Sequence, residues 1–117
     1  ENKQDASESV FLTKAIELVE KNLHVPGYSV EQLSRDLCME RTGLYRKLVA
    51  MLDQSPSLFI RNIRLQRAAQ LILEGSLSIT EIAERTGFSS SSYLSKCFQE
   101  MYGCRPSEYA EKMQKST

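Results

Sequence analysis

One arrangement of caps, turns and apolar residues occurs twice in this chain, and the duplication limits its fold more than any other feature. At an offset of 49 residues, Ser29, Leu33 and Met39 fall on Ser78, Ile82 and Phe88. After that point the offset becomes 50, and Leu44, Leu48, Met51, Pro56 and Phe59 fall on Leu94, Phe98, Met101, Pro106 and Tyr109. The second copy therefore carries one extra residue in its turn. Two units are too few for a solenoid, so the pattern reads as a tandem duplication of one device.

Each copy spells a helix, a turn and a second helix. In the later copy Ser78 and Glu81 form a capping box opening a helix whose Ile79, Ile82 and Ala83 share one face. Gly87 ends that helix, Phe88 anchors the turn, and one serine of Ser89 to Ser92 caps the next helix. That helix, about Ser90 to Met101, has Leu94, Cys97, Phe98 and Met101 as its inner stripe. The earlier copy has its own box in Ser29 and Gln32, a helix from about Val30 to Leu37, a turn holding Cys38 and Met39, and a helix from about Arg41 to Leu52. This is the helix-turn-helix pattern, whose second helix enters the major groove of DNA.

With Leu44, Leu48 and Met51 turned inward, the start of the first reading helix leaves Arg41, Thr42, Tyr45 and Arg46 outside. An arginine there can donate two hydrogen bonds to guanine, and threonine or tyrosine can donate to acceptors or touch a thymine methyl. Lys47 suits a phosphate. Across the duplication the outward residues are Ser91, Ser92, Ser95 and Lys96, while Tyr93, Leu94, Cys97 and Phe98 turn partly or wholly inward. Serine donates or accepts, so the second unit should discriminate less sharply.

The run I-x-x-I-A-x-x-x-G-F-x-S-x-S-Y-L-x-K-x-F, followed by a glycine, a proline and Ser-Glu-Tyr, resembles the signature of the AraC/XylS family. So does RLQRAAQLI, from Arg64 to Ile72. The resemblance covers roughly Tyr28 to Ala110. It implies a bacterial transcription regulator with two helix-turn-helix units joined by one long helix, and base contacts from the outward positions listed above. In the family Arg64 belongs to a motif of structural character and is not counted as a base reader. The chain departs from the pattern at Glu40, where the family has a capping serine, and at Asp53, where it has a glycine. Gly43 is a further oddity, because glycine inside a helix costs about 1 kcal/mol relative to alanine. One rationale is room for the backbone to approach DNA.

The remainder is expected to be all-α as well, about seven helices in total. Residues 1–6 read as a linker remnant, and the absence of a starting methionine suggests an excised piece. Residues 7–55 form the first subdomain, with a supporting amphipathic helix from about Ser7 to Leu23 built on Phe11, Ala15 and Leu18 with Leu12, Ile16 and Val19. Residues 56–75 are the connecting helix, started by Ser55 and Pro56 and ended by Gly75. From Ser57 to Glu74 it spans about 27 Å at ~1.5 Å per residue. Successive major grooves on one face recur about every 34 Å, so two reading helices in neighbouring grooves are expected. Residues 76–117 form the second subdomain, whose last helix, Pro106 to about Met113, packs Tyr109 back onto it.

The formal net charge is zero, which is unusual for a DNA binder. The distribution is uneven: residues 1–40 carry a net −4, whereas residues 41–67 carry +5 from Arg41, Arg46, Lys47, Arg61, Arg64 and Arg67 against Asp53. Cys38, Cys97 and Cys104 lack C-x-x-C spacing, which suggests buried or half-buried thiols in a reducing, cytoplasmic setting and no metal site. The one histidine, His24, has no nucleophile at motif spacing, so neither catalysis nor a cofactor is expected. The expected partners are a double-stranded operator and an upstream sensory or receiver domain, with RNA polymerase as a further candidate. Dimerisation is expected through domains outside this fragment, and no membrane contact is expected. The competing reading is a helical protein-interaction module that keeps the fold without specific DNA binding.

Overall fold

The computed structural model describes residues 3–115, and within them the chain is seven α-helices without a strand. They are α1 (Lys3–Lys21), α2 (Val30–Asp36), α3 (Arg41–Leu52), α4 (Pro56–Glu74), α5 (Ile79–Arg85), α6 (Ser91–Tyr102) and α7 (Pro106–Lys115). Contacts divide them into two compact units. The first holds the residues up to Asn22 together with Gly27–Ile63, and the second holds Leu23–Pro26 with everything from Arg64 onward. The division falls inside α4, between Ile63 and Arg64.

In the first unit, α1 packs on α2 and α2 on α3. Ala15 and Val19 of α1, Leu33 of α2 and Leu44 and Leu48 of α3 are fully buried. Phe59, Ile60 and Ile63, on the first turns of α4, are buried as well. The capping box is complete: the Gln32 N–H donates to Ser29 Oγ at 3.3 Å, and the Ser29 N–H donates to Gln32 Oε1 at 3.1 Å. Helix α1 starts at Lys3, earlier than the expected Ser7. No glycine or proline stands between Lys3 and Ser9 to stop it. Residues 1 and 2 of the expected linker lie outside the described residues.

In the second unit, Leu65, Ala68 and Leu71 of α4 pack with Ile82 and Ala83 of α5, Phe88 of the turn, and Leu94, Cys97 and Phe98 of α6. Its box is also complete, with the Glu81 N–H donating to Ser78 Oγ and the Ser78 N–H to Glu81 Oε1, both at 3.2 Å. That second bond holds the Glu81 carboxyl below the usual carboxylate range. Tyr109 of α7 meets the Phe98 ring edge-on at 5.2 Å, which docks the last helix.

Two inward assignments need correction. Met101 is 39% exposed; the stripe that runs through Leu94 and Phe98 continues four residues on to Tyr102, whose ring lies 4.5 Å from that of Phe98. Cys38 is exposed, unlike Cys97 and Cys104.

Candidate nucleic-acid interface

Helix α3 begins at Arg41 after Glu40, which occupies the N-cap position without making a side-chain cap. Leu44 and Leu48 fix its inner face, so Arg41, Thr42, Tyr45 and Arg46 are all exposed, Tyr45 by 53%. The structure thus brings these four together on one polar surface. Arg41 Nη1 lies 3.6 Å from Glu31 Oε1, at the start of α2. Lys47 stands apart from the four: it projects from the opposite flank of α3, half-buried, with its ammonium 4.5 Å above the Phe11 ring of α1.

Helix α6 starts from Ser90, whose hydroxyl accepts the Tyr93 N–H at 3.0 Å. Ser92 and Lys96 are exposed, and Ser91 and Ser95 are half-buried. Tyr93 is 46% exposed, with its ring 5.9 Å from that of Phe88, so it lies on the rim of this surface and not beneath it. Sequence reasoning passed over Tyr93 as a candidate because an aromatic residue beside Leu94 looks like core.

The duplication extends to the hollows beside the reading helices. In the first unit, Val30, Tyr45, Ser55, Pro56 and Ser57 line a hollow of about 570 Å³ that also touches Arg41 and Thr42. In the second, their register partners Ile79, Ser95, Arg105, Pro106 and Ser107 line one of about 450 Å³. Each hollow therefore sets an outward residue of a reading helix beside the N-terminus of the helix that follows.

The turn of the second unit is held from inside. Arg64, only 6% exposed, donates to the carbonyls of Leu23, of Thr86 at 2.8 Å and of Val25 at 3.1 Å. Burial lowers its pKa, although a guanidinium remains charged at any physiological pH. A Cβ added at Gly87 would overlap the Arg64 guanidinium and the Leu23 carbonyl, and Gly87 also has φ +78°. Arg64 is therefore a structural residue. The basic block of residues 41–67 is correspondingly divided: Arg41 and Arg46 lie on the reading surface, Lys47 rests on Phe11, and Arg64 is internal.

A helix-turn-helix domain model matches residues 33–112. A transcriptional regulator of Chromobacterium violaceum, described by its AraC-type DNA-binding domain, superimposes with a TM-score of 0.82 at 30% identity, over 92% of this chain and 95% of that one. The chain belongs to the AraC-type helix-turn-helix family. Among curated proteins, it is 39% identical over 99 residues to histidine kinase P4 of Formosa agariphila and 32% identical over 97 residues to the HTH-type transcriptional regulator ArgR of Pseudomonas aeruginosa. Those matches cover 85% and 83% of this chain but only 7% and 29% of the two relatives. Among the described residues no helix is long and apolar enough to cross a membrane, and no group of histidine, cysteine or acidic residues could hold a metal.

Proposed function

We propose that this chain is the sequence-specific DNA-binding output domain of a longer bacterial transcription regulator. Each unit inserts its reading helix into a major groove, and the two grooves are successive ones of a single duplex. Arg41, Thr42, Tyr45 and Arg46 carry most of the base discrimination in this reading. Ser91, Ser92, Ser95 and Lys96 contribute a more permissive second contact, and Lys47 reaches a phosphate from the flank of α3. The observation that carries the reading is the repeated burial of an equivalent apolar stripe, Leu44 and Leu48 in one unit and Leu94 and Phe98 in the other. That stripe leaves the polar start of each second helix outside. The long relatives, a histidine kinase and a regulator, support an upstream sensory or receiver region that pairs two copies of this domain and tightens binding.

Selection of binding sites from random duplexes tests the reading directly, because a helix pair of this kind should recover one motif with two separated contact zones. The zero net charge keeps a protein-interaction role in play, and salt separates the two. DNA binding should weaken with a log-log slope of about −0.9 per phosphate neutralised, whereas a mixed-charge protein interface should respond weakly. Recovery of no motif, together with a flat salt response, would favour the interaction module.

A further inference from the structure

The Glu31–Arg41 pair exists in only one copy of the duplicated unit. In register, the second copy has Thr80 where the first has Glu31, and Ser91 where it has Arg41. Both ends of the pair are held by backbone whose position is fixed. Glu31 sits in the first turn of α2, between the two members of the Ser29–Gln32 box, and Arg41 is the first residue of α3. The carboxylate therefore stands at the edge of the reading surface whether or not the arginine is engaged.

We propose that Glu31 is a specificity-determining positioning residue, which holds Arg41 away from backbone phosphates and leaves its guanidinium to a base. This rests on the DNA-binding reading above. The pair measures 3.6 Å, with 65% and 59% of the two side chains exposed. It is longer than a tight charge-assisted hydrogen bond of about 2.7–2.9 Å, so the carboxylate tethers the arginine without consuming its donors. A phosphate approaching the tethered guanidinium meets a neutralised pair and the repulsion of a nearby anion. Guanine is uncharged and offers O6 and N7 as acceptors, so it meets much weaker repulsion than a phosphate does and can take two of the five guanidinium donors. Glu31 therefore weakens contact with any sequence while leaving contact with the correct one largely intact, and the ratio of the two affinities rises.

The test compares the 117-residue chain with E31Q, R41A and the double variant. Each is measured against the selected duplex and a scrambled duplex across a range of salt. E31Q should raise affinity for the scrambled duplex about two- to fivefold, the range of an exposed ion pair. It should steepen the salt slope by about one phosphate and lower the specificity ratio by a similar factor. In the R41A background the same substitution should have less than half that effect. Glu31→Thr, the residue found at the matching place in the second copy, should repeat the result, and melting curves should show all variants folded. An unchanged ratio in both E31Q and Glu31→Thr overturns the proposal. So does an equal effect with and without Arg41, which would mean general repulsion. If the unaltered chain selects no duplex at all, the DNA-binding reading fails and takes this inference with it; if it selects one and the ratio stays fixed, only this inference falls.

Discussion

Cys38 and Asp53 have φ of 56° and 57°, in the left-handed region. Their register partners are Gly87 and Gly103, at 78° and 74°. The two units thus share a backbone whose special positions are glycine in one copy and substituted in the other. A non-glycine residue pays for the left-handed conformation, although an aspartate less than most. Asp53→Gly and Cys38→Gly should each stabilise the domain, by about 0.5–1 kcal/mol after allowing for the greater freedom of glycine in the unfolded chain. Urea titration would check this as a rise in midpoint at constant slope. The register in the sequence already set Cys38 against Gly87, which was the available signal. What the residues could not convey was contact across the chain. Lys47 reads as a phosphate ligand from its charge alone, and only folding places Phe11 beneath it. Glu31 and Arg41 are likewise ten positions apart and meet only because α2 and α3 pack.

At the level of elements, the helices with explicit punctuation were the legible ones. The α2 and α5 boxes fix their own starts, and Pro56 and Gly75 bracket α4. Where punctuation is missing, as at the beginning of α1, the boundary depended on whether a neutral stretch continues a helix. Gly43 is the clearest local anomaly in α3. A methyl group there would meet only Met39 Cε, at an ordinary 3.8 Å. Gly43→Ala should therefore stabilise α3 by about 0.5–1 kcal/mol. If the glycine leaves room for DNA, the same variant should bind its selected duplex at least severalfold more weakly, and unchanged affinity would remove that role. The turn between α5 and α6 depends on Arg64 in the opposite sense. Arg64→Met leaves three carbonyls without their charged donor, and a loss of at least about 3 kcal/mol is expected by chemical denaturation.

Across the whole molecule, the duplication read from the sequence reappears as two contact-defined units, each with its own core. Total charge was a poor guide to the surface, since it counted the buried Arg64 equally with the exposed Arg41 and Arg46. The division of labour among those charges gives a further expectation. Arg46→Ala should lower affinity and relax base preference, at a cost of about 1–3 kcal/mol, whereas Lys47→Ala should weaken all sequences alike and reduce the salt slope by about one. Titrations on matched and mismatched duplexes would separate the two. The interlock of Gly87 with Arg64 also bears on how such a domain can be retargeted. Any side chain at Gly87 would overlap the Arg64 guanidinium and the Leu23 carbonyl, and trimming Arg64 strips three carbonyls of their charged donor. Directed evolution of a new operator preference should therefore find this pair frozen in most surviving clones, with diversity accumulating at Arg41, Thr42, Tyr45 and Arg46 and at Ser91, Ser92, Ser95 and Lys96.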